Sequence, residues 1–224
     1  MTTDPALLRL LHLASPSLPT GAFAYSQGIE WAVERGWLRT AADLEAWLCD
    51  QLRTTQSSLD LPILARMHGA ARQGDEAALA DWTVRLLASR ETQELRAEES
   101  NRGRALADLL VSLEVPGAAG RKPLLARAQA TGFAYAAAHW GIEPAPTLIG
   151  YAWGWLENLV LAAIKIIPLG QTQGHQTLSR LIEVVPEAVE RALALEDDAI
   201  GASSPALAIA SSRHETQYTR LFRS

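Results

Sequence analysis

Cysteine occurs once in these 224 residues, at Cys49, which excludes an internal disulfide and fits a reducing compartment. Trp47, Leu48 and Leu52 surround it in sequence and no His or Lys lies close, so the thiol reads as a packed side chain rather than a nucleophile. A basic excess is also missing. Against 25 Asp and Glu stand 20 Lys and Arg, a formal charge of -5 with a pI near 5.6. That balance provides no broad cationic face to displace counterions from phosphates, so nucleic acid is not expected as a partner. Long apolar runs are absent too: LVLAAI, 159–164, ends at Lys165 and is too short to cross a bilayer. MTTDPALLRLLHLAS at the start has no basic leader and carries Arg9, making it a poor signal peptide. A cytoplasmic chain without a membrane anchor is the expectation.

Catalytic and cofactor signatures are missing as well. The histidines His12, His68, His139, His175 and His214 are scattered, with no HxH, HExxH or Cys/His spacing to gather a metal ion. GQTQGHQT, 170–177, lacks the GxxxxGK[ST] order that grips phosphates, and GAFAYSQG, 21–28, does not match GxGxxG. Ser26 has no evident His or Asp partner, and GxSxG is absent. Glu91, Glu94, Glu98 and Glu99 cluster, but Arg90, Arg96, Arg102 and Arg104 are interspersed, the pattern of a solvated helix face. These absences predict no catalytic residue, no cofactor, no metal site and no enzyme.

Helical periodicity is what the chain does have, and almost half of its residues are apolar, enough to fill a core. Thr40 with Asp43 forms a capping-box start for the stripe Leu44, Trp47, Leu48 and Leu52. Asp75 can cap a helix carrying Leu79, Trp82 and Leu86. Leu106, Leu109, Leu110 and Leu113 continue the pattern. From Leu148 to Ile167 the spacing holds for about five turns before Pro168 and Gly170 stop it. Further helices are predicted near 60–72, 121–140, 171–184 and 187–197, the last two separated by Pro186. No stretch alternates as a strand would. The expectation is an all-α single-domain bundle of roughly ten helices over 1–210, with 211–224 a flexible tail that orders on partner binding.

Three features stand apart from this pattern. LASPSLPTGAFAYSQGIEWA, 13–32, breaks the helix at Pro16 and Pro19, allows tight turns at Gly21 and Gly28, and offers Phe23 and Tyr25 for packing. Glu30 follows as a polar member that can project from the next helix toward a partner. On the long helix, Asn158 and Lys165 superimpose and share a second, more polar face with Gly154, which would present Lys165 outward. In the tail, Tyr218, Leu221 and Phe222 would form one apolar edge of a helical turn, with Arg213, Arg220 and Arg223 available to an acidic surface.

LASPSLPTGAFAYSQGIEWAVERGWL closely resembles the amino-terminal signature of the urease accessory protein family UreF. IKIIPLGQTQGHQTL, 164–178, is similar to a second block of that family, and ETQYTRLFRS to its carboxyl end. The resemblance implies an all-helical, commonly homodimeric chaperone for nickel incorporation that binds UreD (UreH in some systems), recruits the GTPase UreG and engages apo-urease. It implies that Tyr218, Arg220, Leu221, Phe222 and Arg223 dock on UreD. Lys165 and Glu30 complete the expected partner-binding set, Lys165 toward the GTPase. Regulation of that GTPase, rather than passive scaffolding, stands as the alternative.

Overall fold

The computed structural model describes residues 5–224, and among them it contains twelve α-helices and no strand. Met1 to Asp4, assigned to the domain by the sequence reading, lie outside the described residues. In chain order the helices are α1 Pro5–Leu13, α2 Ile29–Glu34, α3 Ala41–Gln51, α4 Leu61–Gln73, α5 Glu76–Ala88 and α6 Gln93–Ser112. They continue as α7 Ala118–Leu125, α8 Gln129–His139, α9 Pro144–Ile166, α10 Gln171–Ile182, α11 Val185–Ala194 and α12 Pro205–His214.

Local chemistry explains most boundaries. Thr40 Oγ1 accepts from the amide of Asp43 while the Asp43 carboxylate accepts from that of Thr40, the reciprocal capping that opens α3. Asp75 caps α5 through the Ala78 amide. Gly74, at a φ of 71°, closes α4 in the left-handed conformation.

Helix α8 is the central element. Every residue from Ala130 to Ala137 is buried, and its alanines let α4 and α6 approach closely. A Cβ on Gly132 would lie 3.0 Å from a methyl carbon of Leu106. Thr83 of α5 and Thr131 of α8 satisfy each other inside this layer through a 2.8 Å hydroxyl pair. Against this centre lies α9, whose Leu148, Ala152, Leu156, Leu159, Val160 and Ala163 are buried.

The sequence reading needs correction at three places. The predicted helix over 121–140 is two helices, α7 and α8, separated at Ala126–Ala128, where Gly103 of α6 lets the Ala128 backbone approach: a Cβ there would sit 2.7 Å from the Ala128 carbonyl carbon. Between α3 and α4 there is no break; the chain continues as a widened π-helical segment, Leu52–Asp60. Pro62 supplies the physical reason, since it cannot donate to the carbonyl of Ser58, which accepts instead from the amide of Gly201 at 2.9 Å. Finally, α9 is 23 residues long and contains an 18-residue window of mean hydropathy 1.2, enough for a membrane span by length and composition. It is a core helix here, with 61% of that window buried inside the fold.

Candidate partner-binding surface

Beyond α1 the broken segment turns through a short 3₁₀ stretch, Ala22–Ala24, and enters α2 by way of Gln27 and Gly28 at φ values of 50° and 78°. Only a residue without a Cβ fits at Gly28, because α12 passes directly behind it. Tyr25 is buried and Phe23 is half exposed. The carbonyl of Tyr25 accepts from Asn158 Nδ2 at 3.2 Å, so the polar face of α9 predicted to meet solvent is covered by the opening segment at Asn158. Two turns of helix further, Lys165 emerges at the edge of that cover. Its ammonium lies 5.7 Å from the centres of both the Phe23 and Phe222 rings, within cation–π range of each.

The tail folds back along this same segment. Ser224 places its main-chain oxygen 2.8 Å from the Ser26 amide and 2.5 Å from the Ser26 hydroxyl, and the Arg223 amide donates to Ala24. Glu30 does not project outward as expected. It is buried in the first turn of α2, and its carboxylate accepts from the amides of Leu221 at 2.6 Å and Phe222 at 2.9 Å. Phe222 is thereby buried, whereas Tyr218 and Leu221 are exposed. No helical turn joins these three: the backbone bends at 218–219 and 221–222, and Glu30 holds the amides of the tail directly. The helix α12 also runs across the expected boundary at 210, reaching His214. Arg220, expected to meet a partner's acid, pairs with Glu94 of the same chain at 2.7 Å, while Arg213 and Arg223 are exposed.

Beneath this surface lies a charged layer that the sequence reading placed in solvent. Glu98, Glu99 and Arg102 of α6 are buried. Arg90 bridges Asp60, at the end of the π segment, and Glu99, at 2.5 and 2.7 Å. Burial pushes the Asp60 carboxyl above its ordinary range, against the pull of Arg90. It likewise pushes Glu98 up, against Arg102 and a hydrogen bond from Gln27. For Arg90, burial works against the charge, yet the carboxylates of Asp60 and Glu99 hold the guanidinium well above its usual value. Trp155 Nε1 donates to Gln27, Gln27 donates to Glu98, and Glu98 accepts from Arg102 and from the Ser224 hydroxyl. Gln27, Glu98, Arg102 and Trp155 line a cavity of about 70 Å³ between the opening segment, α6 and α9.

The overlooked signal was in the spacing. Glu98, Glu99 and Arg102 fall between Leu95 and Leu106 at steps of three and four, so they continue the inward stripe of α6 as charges. Among the described residues, no group of three or more His, Cys, Asp or Glu is placed to hold a metal ion. The tail, the opening segment and the end of α9, far apart in sequence, therefore form one contact surface of backbone, aromatic and charged groups.

Comparison with known proteins decides the family. The UreF family model matches residues 38–182. The chain is 50% identical over 224 residues to the urease accessory protein UreF of Pseudomonas putida (strain W619), covering all of both chains. It is 51% identical to the UreF of Alcanivorax borkumensis, over 99% of each, and 47% identical to that of Alkalilimnicola ehrlichii, over 99% of this chain and 98% of the other. The chain belongs to the UreF family of urease accessory proteins. Its family is one of accessory proteins rather than catalysts. The family model begins at Leu38 and ends at Ile182, so the opening segment and the tail are matched by the full-length relatives and not by the model itself.

Proposed function

We propose that this chain is a cytoplasmic nickel-insertion chaperone of urease maturation that works by contact, binding UreD (UreH) and recruiting the GTPase UreG to apo-urease as part of a homodimeric assembly. The observation that carries the reading is the meeting of Phe23 of the opening segment, Lys165 of α9 and Phe222 of the tail, with Tyr218 and Leu221 exposed on that same tail. Exposed aromatics beside a cation and free arginine side chains suit a protein partner with an acidic, partly apolar surface. Glu30 serves this patch from within, by holding the tail that displays it.

Deleting residues 215–224 is expected to leave helical content unchanged and to weaken UreD binding at least tenfold, read by circular dichroism and titration calorimetry. Unchanged affinity would overturn the docking role. The ammonium of Lys165 favours a second reading, regulation of the GTPase, because Lys165 stays exposed with its charge beside two rings. GTP turnover in the reconstituted assembly with Lys165→Ala separates the two: altered turnover supports regulation, and unaltered turnover with lost urease activation supports scaffolding.

A further inference from the structure

His214 closes α12, and its side chain is fully buried between two carboxylates from different elements. Its Nδ1 lies 2.7 Å from Glu94 of α6, and its Nε2 lies 3.1 Å from Glu30 of α2. An ionised carboxylate only accepts hydrogen bonds, and a neutral imidazole carries a single N–H. One nitrogen of a neutral ring would therefore turn its lone pair toward a carboxylate. Both carboxylates already serve as acceptors elsewhere, Glu30 for two amides and Glu94 for Arg220. The arrangement is satisfied when both ring nitrogens carry hydrogen.

We propose that His214 is the positioning residue that holds the tail on the body of the protein, and that it does so only in its doubly protonated form. The two carboxylates it joins are the same two that grip the tail, Glu30 through the amides of Leu221 and Phe222 and Glu94 through Arg220. Two cations, His214 and Arg220, then balance two anions, Glu30 and Glu94. Glu215, next in the chain, accepts from the amides of Gln93 and Glu94 at the start of α6. Loss of the second proton leaves an uncompensated negative charge among largely buried groups, and releasing the tail relieves it. Docking and proton binding are thus linked: the docked state prevails at lower pH and gives way as pH rises and the second proton leaves.

This deepens the proposed docking role, since the segment governed by His214 is the one offered to UreD. It is tested on the full chain alone. Nitrogen-15 NMR of the imidazole, with hydrogen exchange of residues 215–224 normalised to fully exposed amides, follows both halves of the link across a pH series. Two protonated ring nitrogens are expected wherever the tail is protected, with protection falling at least tenfold as the second proton leaves. Glu94→Gln, whose amide can donate to a neutral ring, is expected to abolish that pH dependence. A singly protonated His214 beneath a protected tail, or an unchanged pH dependence in Glu94→Gln, would overturn the proposal. Neither readout requires a His214 variant to fold. Normal pH behaviour combined with UreD binding that ignores the tail would overturn the docking role and leave this link standing.

Discussion

A Cβ added to Gly28 would lie 2.8 Å from the amide nitrogen of Ser211, so the start of α2 and the middle of α12 meet through a gap that only glycine leaves open. The obstacle is backbone and cannot swing aside. Gly28→Ala is expected to lose about 1–2 kcal/mol from its left-handed φ and about 1–3 kcal/mol more from overpacking. Gly21 gives the control: its φ is 74°, yet nothing lies within 4 Å of its Cβ position, so Gly21→Ala should show the conformational loss alone. Thermal unfolding of the two variants distinguishes them, and equal losses would refute the close packing of α2 on α12.

Glu30 is the tail's principal anchor, which makes Glu30→Ala a test of local rather than global stability. Without the carboxylate, the amides of Leu221 and Phe222 lose their acceptor and His214 loses one of its two partners. The tail can escape to water, so the helical core should retain its unfolding temperature. Tryptic cleavage at Arg220 should quicken by at least about tenfold, corresponding to about 1.4 kcal/mol of lost docking. Glu30→Gln keeps one acceptor oxygen and should fall between Ala and the parent.

Arg90 carries a different kind of burden. It neutralises Asp60 and Glu99 together, and the Glu99 carboxylate also accepts from the Gln129 amide that opens α8. Arg90→Leu leaves two buried carboxylates without their cation, a loss of about 3–5 kcal/mol. Both contacts fall on one guanidinium nitrogen, Nη2, so the ammonium of Arg90→Lys, with three donors, should recover part of the loss. Urea denaturation gives both values, and near-parental stability of Arg90→Lys would show that charge alone suffices.

The helices were legible because their causes are local. Thr40 with Asp43, Asp75 and the stripe along α9 act locally, and each marks its element where the sequence placed it. The lost boundaries depended on distant residues: Pro62 is tolerated inside a helical run because Gly201, far along the chain, takes the carbonyl it abandons. The site divides in the same way. Glu30, Lys165 and Phe222 could be picked out as unusual, but nothing in their neighbourhoods says that Glu30 turns inward or that Phe23 and Phe222 flank one lysine. Charge composition misled at Glu98, Glu99 and Arg102, because mixed charge marks a solvated face only when the other elements leave that face uncovered.

The buried carboxyls also set a direction for stability against pH. Burial raises Asp60 and Glu98 above their ordinary values despite the neighbouring arginines. Each therefore binds its proton more tightly in the folded chain than in the unfolded one. The stability this contributes is complete below the unfolded carboxyl's titration and is lost as pH rises through the folded one. Asp60→Asn and Glu98→Gln cannot titrate and carry no such loss. Whatever fixed cost each substitution brings, its stability relative to the parent should improve as pH rises from the ordinary carboxylate range toward neutrality. Denaturation midpoints of each variant and the parent at matched pH values measure that gap directly. A gap that stays constant or widens against the variant would mean that these carboxyls enter the fold already ionised and fully compensated by Arg90 and Arg102.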